Sequence, residues 1–133
     1  MQLTKKEALQ LVKTIHPHVS GFSRGFQLNG KLKQEVVCGG KVKHIVDMSL
    51  WSNGDLVYVT IDDGVGELLV VVPKMLWDET DVTNNSLIVA EGILYAPSKD
   101  LVFKSRAGTD IKKVRKDEPF RVLVRSIKII KEN

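Results

Sequence analysis

From Leu56 to Pro73 the chain reads LVYVTIDDGVGELLVVVP. Val57, Val59 and Ile61 alternate with Tyr58, Thr60 and Asp62, the period-two pattern of a strand with one buried face. Asp62-Asp63-Gly64-Val65-Gly66 has the composition of a turn. Glu67 to Val72 returns as a second strand, and Pro73 ends it. The pattern predicts a hairpin whose interior is Val57, Val59, Ile61, Leu68, Val70 and Val72. Its other face would show Tyr58, Thr60, Leu69 and Val71.

The rest of the chain surrounds this hairpin with further periodic segments. Ala8, Leu11, Val12 and Ile15 fall at i, i+3, i+4 and i+7, which predicts a helix over Thr4 to Ile15. Thr4 and Glu7 have capping-box spacing, and Pro17 stops the helix. His16 to Gly30 is rich in turn residues and reads as an irregular connection. VVCGGKVKHIVDM, residues 36–48, predicts a long first strand, bulged or sharply bent at Gly39-Gly40. A helical turn is expected around Lys74 to Trp77. Ser86 to Ala96 predicts another strand, kinked at Gly92. Leu101 to Arg106 reads as the fifth strand, and Phe120 to Ile130 as an extra strand beyond it. The division expected is a helix and loop over 1–34 packed on a barrel, and a barrel domain with a C-terminal extension over 35–133. Short strands joined by hairpin turns argue for an all-β barrel or sandwich.

Composition narrows the class only a little. At 133 residues, 43% hydrophobic and 27% charged, the chain has the make-up of a single soluble globular domain. The longest apolar run, Leu68 to Val72, is far short of the roughly 20 residues that span a bilayer, so no membrane partner is expected. MQLTKKEALQ lacks an apolar signal region. The single cysteine, Cys38, cannot form an intramolecular disulfide, which points to a reducing, cytoplasmic setting.

Charge changes the picture more, because the net +4 is segregated. Residues 1–45 carry eight Lys and Arg against two acids, a net +6. Residues 46–100 carry two against ten, a net −8, and residues 101–133 carry ten against four, a net +6. Basic ends flanking an acidic middle fit an anionic partner held by the flanks, and they equally fit a solvated surface with internal charge pairing.

The ordered pieces carry a resemblance. Gly40-Lys41-Val42, Tyr58 to Asp63, Gly66, Leu68 to Pro73 and Ile88 to Ile93 follow one another as in an OB-fold, a five-stranded Greek-key barrel. Over about residues 36–106 the chain resembles the OB domains of bacterial replicative DNA polymerase alpha subunits. It is also similar to the anticodon-binding OB domains of class II aminoacyl-tRNA synthetases. The resemblance implies that the outward side of the first three strands faces a ligand, with Tyr58 where the synthetase domains place a base-stacking aromatic. Lys41 and Lys43 are expected beside it, together with Thr60, Leu69 and Val71. The chain departs from the synthetase pattern in its acidic turn and in its apolar third strand, which argues against sequence-specific reading.

The other candidates have two readings each. Trp51, in the loop MSLWSNGD, is either a second stacking group or an anchor on the barrel mouth. Trp77 is expected to plug the barrel. Phe22 and Phe26, flanking Arg24, are expected to pin their loop to the core. Lys99, Lys104, Arg106, Arg121 and Arg125 are candidate phosphate contacts or solvated cations, and the stretch Lys112 to Lys116 could act as an electrostatic clamp. His16, His18, Cys38 and His44 have no metal-binding spacing, and no catalytic motif occurs, so neither metal, cofactor nor enzymatic activity is expected. Asp62, Asp63, Asp78, Glu79 and Asp81 read as turn and cap residues. The expectation is a non-enzymatic module for single-stranded nucleic acid, DNA favoured over RNA, in replication, recombination or repair. The alternative is a protein-docking module for a polymerase, a helicase, another replication protein or a second copy of itself.

Overall fold

The computed structural model describes residues 3–48, 55–96, 103–104, 110–111 and 120–130. The long first strand forms over Glu35–Asp47 (β1), and the hairpin over Leu56–Asp62 (β2) and Glu67–Pro73 (β3). A helical turn, Lys74–Trp77 (α3 in chain order), leads to Leu87–Tyr95 (β4). Two short pieces, Phe103–Lys104 (β5) and Asp110–Ile111 (β6), pair only with each other, and Arg121–Ile129 (β7) follows. Strands β1, β2, β3, β7 and β4 close in that order into a barrel. Every pairing is antiparallel except β3 with β7. This is a five-stranded OB-fold barrel with helices before it.

One strand differs from expectation. The fifth barrel strand is β7, which therefore is not an addition to the barrel; of the 101–106 segment the described residues are Phe103 and Lys104, which pair with β6 outside it. β7 runs beside β4 from Arg121 to Ile129 and meets β3 on its other side, which closes the barrel.

The six residues predicted for the hairpin interior are all there. Val57, Val59, Ile61, Val70 and Val72 are fully buried and Leu68 nearly so. They meet Val36, Val42, Ile88, Leu94, Val122 and Val124 from the other strands. Burial of each such side chain stabilises by about 1.5–3 kcal/mol. Trp77 packs against this core from the end, as a plug should. Cys38 lies inside it too, and burial, then the nearby Asp63 charge, pushes its thiol up to about 12.

Glycine is required where strands approach most closely. A Cβ on Gly40 would lie 2.5 Å from the Asp62 carbonyl oxygen, at the bend where β1 exchanges β4 for β2 as its neighbour. The bulge itself is three residues later: the register with β2 shifts between Val42 and His44, leaving Lys43 extra. The kink expected at Gly92 is present as a register shift between Glu91 and Gly92.

The N-terminal helix covers Lys5–Ile15 (α1), with the Glu7 amide donating to the Thr4 hydroxyl at 3.1 Å. Its buried residues Leu11 and Ile15 pack with Leu87 of β4. The stretch expected to be irregular contains a 3-10 turn at His16–His18 and a second helix, Ser23–Asn29 (α2). Phe26 of α2 is buried in the barrel core and Phe22 packs on the smaller cluster under α1, so both pin this segment as expected.

Candidate functional site

Strand register places the outward residues of the barrel in rows. At the β2–β3 turn, Lys41 stands opposite Asp62, which stands opposite Glu67. The next row is His44, Thr60 and Leu69. The third is Val46, Tyr58, Val71, Leu123 and Ile93, which crosses all five strands. One step back toward the β2–β3 turn, in line with Leu69, Arg121 faces Tyr95 across β7 and β4.

The chemistry gathers around Tyr58. The Arg121 guanidinium lies over its ring, 5.8 Å from the centroid, within cation–π range. Tyr95 is the cross-strand partner of Arg121. Burial raises the Tyr95 pKa, and the nearby Arg121 charge opposes that rise. Tyr95 was missed by sequence reasoning. The signal was available in LIVAEGILY, where Leu94 points inward and the alternation therefore turns Ile93 and Tyr95 outward.

The predicted residues divide into groups. Tyr58, Thr60, Leu69 and Arg121 share the outer face. Val71 is in the same row as Tyr58 but has no exposed surface, lying between the larger Tyr58 and Leu123, so it is not available to a ligand. Lys41 and Lys43 are not beside Tyr58. Lys41 pairs with Asp62, four residues and about 13 Å along β2, and Val46 occupies the place next to the tyrosine.

The two lysines instead line a cleft of about 450 Å³ with Thr4, Glu7, His44 and Glu67. Three acids border this cleft (Glu7, Asp62 and Glu67), so it is mixed in charge rather than basic. Arg125 is at the β4–β7 bulge, pairs with Glu35 at 3.5 Å and lines a different hollow with Ser20 and Glu91. Lys104 belongs to the backbone of β5. Trp51, Lys99, Arg106 and the stretch 112–116 lie outside the described residues.

The acidic turn is less acidic than it reads. Asp63 is only 3% exposed. Its Oδ2 accepts from the Ser23 amide at 2.6 Å, and its Oδ1 accepts from the Ser23 hydroxyl and from the Val65 and Gly66 amides. The carboxylate thus closes the turn and caps α2, the cap role expected of it. Asp62 accepts from the Gly64 amide. Among the described residues no cluster of His, Cys, Asp and Glu is placed to hold a metal, and no helix is long and apolar enough to cross a membrane.

No family profile and no curated protein matches the chain. Solved structures do share its fold. Asparaginyl-tRNA synthetase from Pyrococcus horikoshii aligns with 83% of the chain at 16% identity and a TM-score of 0.55, over 22% of its own length. The Entamoeba histolytica asparaginyl-tRNA synthetase aligns with 80% at 20% identity and a TM-score of 0.53, over 23% of its length. An OBody bound to hen egg-white lysozyme aligns with 88% at 18% identity and a TM-score of 0.57, over 97% of its length. The chain therefore spans less than a quarter of either synthetase, and the OB-fold is what it shares with all three.

Proposed function

We propose that this barrel binds single-stranded nucleic acid on its outer face and catalyses no reaction. The observation that carries the reading is the outward Tyr58 with the Arg121 guanidinium at its ring. An aromatic ring offers a flat apolar face to any base, worth about 1–3 kcal/mol per stacked base, and an adjacent guanidinium neutralises a phosphate. The synthetases with this fold act on tRNA by name, which supports a nucleic-acid ligand. Leu69 lies on the face where a base-reading polar group would be needed, so sequence preference is weak. Single-stranded DNA, in replication, recombination or repair, remains the favoured ligand on the polymerase resemblance of the sequence.

Protein docking is the second reading. It is favoured by the apolar row through Val46, which is 47% exposed, and by the OBody, an OB-fold that holds a protein. Titration of labelled single-stranded DNA and RNA at two salt concentrations separates the readings. Nucleic-acid affinity is expected to fall steeply with salt. Absence of binding at low salt sinks the first reading and leaves docking.

A further inference from the structure

Among the described residues, Arg121 is flanked by two aromatic groups and by no acid. Its guanidinium lies over the Tyr58 ring, and Tyr95 is its cross-strand partner. Among the described residues it has no carboxylate partner; the ion pairs there are Lys74 with Asp47 and Asp78, and Arg125 with Glu35. An arginine held only by weak contacts to aromatic groups keeps its charge available to an anion. The two rings it joins stand on β2 and β4, separated by β3 and β7, at most about 14 Å of sheet. The arrangement is ring, cation, ring.

We propose that Tyr95 is a second stacking residue and that Tyr58, Arg121 and Tyr95 together take one dinucleotide step, base–phosphodiester–base. This rests on the nucleic-acid reading above and adds to it a second aromatic and a minimum ligand. The phosphodiester is the anion that comes with a flat ring on either side, so its charge meets Arg121 while the two bases reach the two tyrosines. On binding, the guanidinium leaves the Tyr58 ring for the phosphate and the exposed ring accepts the base in its place. The exchange trades a weak cation–π contact for a charge-assisted hydrogen bond and a stack.

The test is titration of fluorescein-labelled oligothymidylate over a series of salt concentrations, with the wild type, Tyr58→Leu, Tyr95→Leu, Tyr95→Phe and Arg121→Gln. Leucine keeps apolar volume without an aromatic face, and circular dichroism checks that each variant is folded. Tyr95→Leu is expected to weaken binding roughly 5- to 160-fold, the contribution of one stacked base, with an unchanged salt slope. Tyr95→Phe keeps the ring and should bind within about twofold of wild type; if Tyr95→Leu does not fold, a loss of binding in Tyr95→Phe overturns the stacking role. Arg121→Gln should reduce the slope of log affinity against log salt by about 0.7, one phosphate on a single strand. If Tyr58→Leu weakens binding while Tyr95→Leu does not, the site has one aromatic and this proposal is wrong, though the function stands. If the wild type binds no oligonucleotide, both fail together.

Discussion

Asp63→Ala is expected to destabilise the domain by about 2–4 kcal/mol without touching the outer face. The carboxylate is buried and accepts four hydrogen bonds, three of them from backbone amides: Ser23, Val65 and Gly66. Alanine leaves the Ser23 amide without a partner in a buried position and the Val65 and Gly66 amides without one at a part-exposed turn. An orphaned buried donor costs about 1–3 kcal/mol. The Ser23 amide bears this in full and the two turn amides a part of it, which puts the total at about 2–4 kcal/mol. A domain of this kind has about 5–15 kcal/mol to lose.

Asp63→Asn separates charge from shape. Oδ1 and Oδ2 both accept, so either orientation of the amide aims its NH2 group at a donor. Asparagine is therefore expected to cost about 1–3 kcal/mol rather than nothing. Urea denaturation followed by tryptophan fluorescence reads both. At about 1–3 kcal/mol per molar, the alanine variant should lower the midpoint by at least about 0.7 M. A loss below about 1 kcal/mol for alanine would show that the turn and α2 hold without this carboxylate, and the argument from orphaned amides would be refuted.

Three other substitutions test the rest of the frame. Gly92→Ala should lower stability by about 2 kcal/mol or more in thermal denaturation, because its Cβ would lie 2.0 Å from the Leu123 carbonyl oxygen; Gly25→Ala, which meets nothing within 4 Å, is the control and should not destabilise. Thr4→Ala removes the cap of α1 and should cost about 1 kcal/mol by the same assay. Cys38 should make stability fall in alkali. The folded thiol keeps its proton up to about 12, whereas the unfolded one loses it near 9.0. The contribution is therefore full below pH 9 and is lost as pH rises from 9 toward 12, by about 1.4 kcal/mol per unit. Urea midpoints at pH 8, 10 and 11 for wild type and Cys38→Ala check this, and parallel pH profiles would contradict it.

The hairpin was legible because its pattern is local. Alternation alone assigned six interior residues, and turn composition placed the reversal between Asp62 and Glu67. Helix α2 was not legible, because what holds it is distant. SRGFQLN is short and contains Gly25, while its N-terminal amide is satisfied by Asp63, forty residues away. The fifth strand was misplaced because 101–106 and 120–130 look alike over a few residues, and only the long-range pairing of β7 with β4 and β3 distinguishes them. The face around Tyr58 was half legible. Alternation gave its orientation correctly, but the extra residue at Lys43 and the four-residue offset of Lys41 moved the lysines away from it. Val71 was rightly read as outward, yet register placed two larger side chains over it.

The single parallel seam has a consequence for how the barrel assembles. β3 meets β7 through only two registered pairs, Val70 with Val122 and Val71 with Leu123. β2 and β3 are hairpin neighbours and can zip early, but this seam joins residues about fifty positions apart. Its loop entropy must be met before any contact is gained, so closure should come late in folding. Until then β3 and β4 each present an unpaired edge, the kind that recruits strands from other molecules. Gln27 of α2 bears on that step, its side-chain amide exchanging two hydrogen bonds with the Phe120 backbone, 3.0 and 2.6 Å long, immediately before β7. A latch at that place is expected to seat the arriving strand in register and so to shorten the time during which the half-built barrel can aggregate.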